Sequence, residues 1–235
     1  MNGSEVVTVE FAGLKFETYL SSLNELREIY LWEVYERTAQ VEVGDVVVDA
    51  GTNIGSFTFK AIQAQASKIL AFEPDPVNFN RLKKNLDQYP LTFGPTKVHC
   101  YQQALAQKRG KALLYPGTDP GGNSLLNNVH KGEPIEVDVT TLDDIMEKQQ
   151  LTRVDFIKID VEGAAGYVLE GASKALKQSR LKIGAAIYHS PGEKRHVLQL
   201  LKENGFTYKL YNPWGVEVKP EDQFVSYVQG WKGYG

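Results

Sequence analysis

Several things are scarce in this chain, and each scarcity closes a class of function. It has one cysteine, Cys100, in 235 residues, so an intrachain disulfide framework and a cysteine-built metal site are both excluded. Cys100 lies in the apolar-leaning run Lys97-Val98-His99-Cys100-Tyr101 and reads as a small core residue rather than a nucleophile. No apolar run reaches the length needed to span a bilayer. The first residues, Met1-Asn2-Gly3-Ser4-Glu5-Val6, lack the basic segment and apolar stretch of a signal peptide, so the expectation is a cytoplasmic protein with no membrane partner. Charge of one sign is also missing. A formal net charge of −3 leaves no basic footprint for nucleic acid, which counts against an RNA or DNA substrate. What remains is a chain with 42% apolar residues, enough for a sizeable core in one α/β domain over residues 1–235.

The stretch Val46-Val47-Val48-Asp49-Ala50-Gly51-Thr52-Asn53-Ile54-Gly55 carries the most information. An apolar run enters a glycine turn, and a helix-compatible stretch follows from Phe57. Such a strand–turn–helix junction lets backbone approach a nucleotide-like ligand closely. A second short apolar strand, Ile69-Leu70-Ala71-Phe72, ends in Glu73. A carboxylate there accepts hydrogen bonds from both ribose hydroxyls. The glycine spacing is not the G-x-G-x-x-G of a dinucleotide fold. Asp49 stands two residues before Gly51, where a carboxylate repels a pyrophosphate but suits an ammonium group. S-adenosylmethionine has an amino group, a sulfonium and no phosphate, and is favoured over a nicotinamide cofactor.

Along the chain, residues 5–20 alternate around Ala12-Gly13 as a hairpin. Asn24 is placed to cap a helix from Glu25 to about Ala39. Together, residues 1–40 form an N-terminal extension to a Rossmann-like core at 41–235. Strands at 45–50, 68–73 and 97–101 alternate with helices at 55–65 and 76–87, which implies a mostly parallel sheet with helices on both faces. Residues 111–115 and 135–139 read as flanking strands, and the turn-rich segment between them as a lid. Thr141 starts a helix with acidic residues in its first turn. Strands at 154–160 and 181–188 follow, then a helix at 193–204. An antiparallel pair, 206–211 and 223–228, is expected around the turn Asn212-Pro213-Trp214-Gly215.

Ligands of an open α/β sheet lie beyond the carboxyl ends of its strands. Asp49, Glu73, Asp160 and His189 are all expected at such ends. Asp49 is assigned to the cofactor's methionine end, directly or through water. Gly51, Thr52, Asn53 and Gly55 shape the turn, Glu73 takes the ribose, and Pro74 and Asn78 flank the adenosine. Asp160 and Glu162, two residues apart, and His189 are the candidate catalytic groups. An alcohol acceptor loses a proton as it is methylated, and a general base assists that step. The same three residues offer a divalent-metal alternative, which is not favoured because no close ligand pair such as H-x-x-x-H is present.

Four blocks together resemble the FkbM-type S-adenosylmethionine-dependent methyltransferases: Val48-Asp49-Ala50-Gly51-Thr52-Asn53-Ile54-Gly55, Phe72-Glu73-Pro74-Asp75-Pro76, Thr141-Leu142-Asp143, and Ile157-Lys158-Ile159-Asp160-Val161-Glu162-Gly163. The resemblance implies a Rossmann-like, seven-stranded, mostly parallel sheet with one antiparallel strand. It also implies methyl transfer to oxygen on sugars, polyketides or other small metabolites, with S-adenosylhomocysteine as product. Gln103 and Ala104 then fall where the wider class contacts adenine. Two departures stand out. Ala164-Ala165-Gly166 occupies the place of an acidic residue usual after the Glu-Gly pair, and Gln103 replaces a usual asparagine. The alanines keep open a non-catalytic cofactor-binding module. A methyltransferase acting on RNA or protein is the other alternative. The methyl acceptor and the oligomeric state, including a homo-oligomer, stay open.

Overall fold

The structure is a computed structural model that describes residues 5–11, 13–88, 96–117, 121–126 and 132–234. Strands β1 (Val6–Phe11) and β2 (Leu14–Tyr19) form the expected hairpin, with Val6 opposite Tyr19 and Val9 opposite Phe16. A short 3-10 turn at Leu20–Ser22 leads into helix α1 (Leu23–Tyr30). This helix is shorter than its apolar periodicity predicts, and Ser22 rather than Asn24 stands at its N-cap. The N–H groups of Leu31 and Trp32 both bond to the Arg27 carbonyl, that of Val34 bonds to Glu28, and Glu33 takes a left-handed φ of 48°. These wide bonds terminate the helix. The apolar residues beyond it are buried by a turn, which drives Val34 and Tyr35 into the sheet.

The central elements follow in order: β3 (Val46–Ala50), α2 (Ser56–Gln63), β4 (Lys68–Phe72), α3 (Pro76–Asp87) and β5 (Lys97–Tyr101). Helix α3 is capped by Asp75, whose carboxylate accepts from the N–H groups of Val77 and Asn78, with Pro76 in the first turn. Cys100 on β5 is half-buried. Short strand β6 (Ala104–Leu105) comes next, then β7 (Gly110–Leu114), β8 (Ile135–Thr140) and α4 (Leu142–Lys148). Thr141 caps α4 through the Asp144 N–H. The rest are β9 (Phe156–Ile159), α5 (Ala165–Glu170), α6 (Ser173–Leu176), β10 (Leu181–Ala186), α7 (Glu193–Glu203), β11 (Thr207–Tyr211), β12 (Glu217–Val218) and β13 (Tyr227–Lys232).

The main sheet has the order β12-β11-β13-β10-β9-β3-β4-β5. Strands β5, β4, β3, β9 and β10 run parallel. Strand β13 is antiparallel to both β10 and β11. The seven-stranded arrangement with one antiparallel strand is therefore present, with the two-residue β12 added at its edge. The final strand starts at Tyr227 rather than at residue 223, and the turn at 212–215 leads to β12 instead. Strands β7 and β8 do not flank the main sheet. They pair with β6 in a separate three-stranded sheet of order β6-β8-β7. Of the expected lid, residues 118–120 and 127–131 lie outside the described residues.

Alternation along the strands builds two cores. Val48, Ala50, Leu70, Ile157 and Ile159 pack with α4 to α7 on one face. Val47, Ile69 and Phe156 pack with α1, α2 and the N-terminal hairpin on the other. No helix among the described residues is long and apolar enough to cross a membrane. Strand order reverses at β3, between β4 and β9, so the crevice beyond their carboxyl ends is where this topology places a ligand.

Candidate active site

At the end of β3 the backbone turns sharply, and only glycine fits at Gly51. Its φ is +76°, and an added Cβ would stand 1.8 Å from the Asp160 carbonyl oxygen. The N–H groups of Gly51 and Thr52 both donate to the Phe72 carbonyl, which ties the turn to β4. From below, the Lys158 Nζ donates to the Gly51 carbonyl at 2.6 Å and pairs with Asp49 Oδ1 at 3.2 Å. Lys158 and Asp49 are cross-strand neighbours on β9 and β3. Burial works to lower the lysine's pKa, but the Asp49, Asp160 and Glu25 carboxylates outweigh it and hold the pKa above the ordinary value.

Asp49 is therefore placed differently from its sequence assignment. Its side chain is wholly buried and does not line the cleft. Oδ2 accepts from the Thr52 and Thr58 hydroxyls, each at 2.7 Å. The carboxylate is an anchor beneath the turn. Thr52 and Gly55 are likewise behind the cleft wall: Thr52 bonds to Asp49, and Gly55 starts α2 with a φ of 104°.

Gly51, Asn53, Glu73, Pro74, Asn78 and Ala104 do face one cleft of about 190 Å³. Glu73 is held by two backbone donors, the Asn53 N–H at 2.8 Å and the Asp75 N–H at 2.9 Å. Burial pushes its carboxyl up to about 8, against the lowering effect of those two bonds. Asn78 accepts from the Tyr19 hydroxyl at 3.1 Å. Gln103 is not part of this wall. It lies in the bend before β6 and faces a separate shallow depression with Arg109 and Thr140.

Asp160, Glu162 and His189 do come together at the carboxyl ends of β9 and β10. His189 Nε2 lies 3.3 Å from Glu162 Oε1 and 3.7 Å from Asp160 Oδ1. Asp160 and Glu162 line the same cleft as Glu73. Glu162 holds a left-handed φ of 52°, and its carbonyl accepts from the Ser124 hydroxyl at 2.6 Å. Burial, followed by the Asp160 charge, pushes Glu162 up to about 7. Burial alone would lower His189, but the Glu193, Asp160 and Glu162 carboxylates raise it to about 9. These carboxylates favour the protonated ring in the ligand-free cluster.

Several groups at the site escaped the sequence reading. The Tyr35 hydroxyl donates to Asp160 Oδ2 at 2.7 Å. Glu25 and Glu28 of α1 enter the cleft, and Asn53 Nδ2 donates to Glu25 Oε2 at 3.1 Å. Burial pushes both acids up to about 7. Their three-residue spacing on the polar face of α1 was the available signal. Glu193 is buried against α5, where its Oε1 accepts from the Ala165 N–H at 3.3 Å. A carboxylate thus stands beside the alanines that replace the expected acid. Described parts of the lid also touch the site: Gly121, Asn123 and Leu125 line the cleft, and Asn123 Nδ2 donates to Asp75 at 3.1 Å.

The methyltransferase FkbM domain matches residues 49–208, from the glycine turn past His189. The chain belongs to the FkbM methyltransferase family. Among curated relatives, the 31-O-demethyl-FK506 methyltransferase FkbM of Streptomyces tacrolimicus is 29% identical, over 77% of this chain and 80% of that one. The hexuronic acid methyltransferase AglP of Haloferax volcanii is 28% identical, over 70% of this chain and 64% of that one. In fold, the chain is similar to the crystal structure of methyltransferase FkbM from Methylobacillus flagellatus KT, with a TM-score of 0.59 and 16% identity, covering 85% of this chain and 47% of that one. Glu25 and Glu28 line the cleft from α1, ahead of the FkbM match, and Tyr35, also ahead of it, bonds to Asp160.

Proposed function

We propose that this FkbM-family methyltransferase transfers the methyl group of S-adenosylmethionine to a hydroxyl oxygen of a small, uncharged acceptor. The observation that carries the reading is the single cleft that joins Glu73 at one end to Asp160 and Glu162 at the other. Glu73, held by one backbone N–H on each carboxyl oxygen, takes the ribose hydroxyls with its remaining acceptor capacity. Pro74, Asn78 and Ala104 flank the adenosine. Gly51 and Asn53 face the methionine part, with Asp49 acting through Lys158 and Thr52 to position the turn.

The donor methyl is already activated by the sulfonium, so alignment supplies most of what the reaction needs. The acceptor oxygen attacks the methyl carbon, the carbon–sulfur bond breaks, and its electron pair stays on sulfur. The acceptor's proton leaves to solvent through the Asp160–Glu162–His189 end of the cleft. Glu25, Glu28, Glu73, Asp160 and Glu162 line the cleft, and no lysine or arginine does among the described residues. A lining of carboxyl groups with no cationic side chain offers nothing to pair with an anionic acceptor. It therefore favours a neutral polyol, glycoside or macrolide-type alcohol over a uronic acid, and over the phosphate backbone of RNA.

The test supplies methyl-labelled S-adenosylmethionine with a panel of neutral glycosides and alcohols, matched uronic acids, bulk RNA and an unfolded protein. Label on a neutral hydroxyl, lost in Asp160→Asn, supports the proposal. Label on RNA or protein alone, or S-adenosylhomocysteine binding with no label transferred to anything, sinks it.

A further inference from the structure

Asp160, Glu162 and His189 each bring one possible ligand atom to the same place, the three lying within 4.8 Å of one another. The His189 side chain is only 8% exposed, and its Nε2 is enclosed without a hydrogen-bond partner. A buried polar atom with no partner is costly and calls for an occupant. The approach of Glu162 Oε1 at 3.3 Å and Asp160 Oδ1 at 3.7 Å puts two carboxylate oxygens around that same nitrogen.

The surroundings orient these groups as donors. Tyr35 occupies Asp160 Oδ2, which leaves Oδ1 to face the cluster. Glu193 Oε2 accepts from the His189 backbone N–H at 3.0 Å and lies 3.7 Å from the ring Nδ1, which is itself buried without a hydrogen-bond partner. A carboxylate on the Nδ1 side of the ring is what fixes a metal-bound imidazole once the two close to hydrogen-bonding distance. The carboxyl groups of Glu25, Glu28 and Glu73 line the same cleft, and no lysine or arginine lines it among the described residues. A divalent cation meets that set of carboxyl oxygens, and its charge favours their ionised form.

We infer that Asp160, Glu162 and His189 bind one divalent cation at the acceptor end of the cleft. Two carboxylates and one imidazole suit Mn2+ or Mg2+ over thiolate-seeking metals. Resting on the methyl-transfer reading, the cation takes the acceptor hydroxyl as a ligand and lowers its pKa. The O–H bond breaks, the proton passes to solvent, and the oxygen, retaining the electron pair, bonds to the methyl carbon. The pair from the broken carbon–sulfur bond stays on sulfur.

The experiment titrates the full chain with MnCl2 by calorimetry and electron paramagnetic resonance. S-adenosylhomocysteine is titrated separately into the same samples. One Mn2+ per chain is expected, with affinity reduced at least about tenfold in Glu162→Gln and in His189→Asn. Glu162→Gln keeps the side-chain shape, so it serves if the histidine variant fails to fold. S-adenosylhomocysteine affinity should stay near wild type in whichever variant folds. No saturable Mn2+ binding to the wild-type chain, or unchanged Mn2+ affinity in Glu162→Gln, overturns the cation site. A Mn2+ isotherm without a S-adenosylhomocysteine isotherm supports the site while overturning the methyl-transfer reading.

Discussion

Lys158→Met is the perturbation whose cost follows most directly from the structure. The lysine and Asp49 side chains are 3% and 0% exposed, with Nζ and Oδ1 3.2 Å apart. Removing the ammonium leaves a carboxylate with no counter-charge inside the sheet. It also strips the Gly51 carbonyl of its 2.6 Å donor. Breaking one side of a buried pair costs about 3–5 kcal/mol. At roughly 2–4 °C per kcal/mol for a chain of this size, melting should fall by about 6–20 °C. Asp49→Asn combined with Lys158→Met removes both charges and keeps an amide to meet Thr52 and Thr58. The double variant should regain most of the loss, because deleting a buried pair as a whole is close to neutral. Urea unfolding of the three proteins measures the coupling. Calorimetry with S-adenosylhomocysteine then asks whether Asp49 touches the cofactor. As a buried anchor it does not, so the double variant should bind within about 1 kcal/mol of wild type. The reasoning fails if Lys158→Met costs less than about 1 kcal/mol, or if the double variant is stable yet has lost the cofactor.

Other expectations follow from individual contacts. Gly51→Ala forces a side chain into a left-handed backbone and to 1.8 Å from the Asp160 carbonyl, so thermal scans should show a large destabilisation or no soluble protein. Tyr35→Phe keeps the ring contacts with Phe57 and Tyr227 but removes the donor to Asp160. Losing a hydrogen bond to a charged group is worth about 1.5–3 kcal/mol, so turnover should fall by one to two orders of magnitude (about tenfold per 1.4 kcal/mol) while S-adenosylhomocysteine affinity holds. Glu73 has its carboxyl raised from 4.5 to about 8 by burial, with Asp75 adding to the rise and Lys158 opposing it. The folded chain keeps a proton that the unfolded chain has released, so this stabilisation is full below 4.5 and is lost as pH climbs to about 8. Melting of the ligand-free protein should therefore drop across that window, and Glu73→Gln should flatten the drop. An unchanged slope in the variant would remove Glu73 as its source.

The parts of the molecule that were legible in the sequence are those set by local pattern. Val46 to Gly55 announces strand, turn and helix through apolar run and glycine spacing, and β3 and α2 form there. Glu73 and Asp160 end short apolar strands, and both reach the cleft. The misreadings arise where distant partners decide. The apolar spacing of residues 31–39 fits a helix equally well as a turn that buries Val34 and Tyr35 against the sheet, and only the sheet selects the turn. Asp49 looked like a cofactor ligand because its strand-end position was visible, whereas its partner Lys158 is 109 residues away in sequence. Glu193 is a first-turn helix residue by pattern, and its place behind His189 depends on how α7 meets β10. The register of β13 is fixed by its pairing to β10 over Leu181–Ala186, which no turn signal near residue 223 encodes.

The central claim is that Glu73, fixed beside the Gly51 turn, holds the ribose of S-adenosylmethionine. The direct measurement is calorimetric titration of the wild-type chain and Glu73→Ala with S-adenosylmethionine, S-adenosylhomocysteine and NAD. The account predicts that both sulfur compounds bind the wild type, that NAD does not, and that Glu73→Ala weakens both by about tenfold or more, the cost of leaving the ribose hydroxyls without their partner. Equal affinity in the variant, or a preference for NAD, would contradict it.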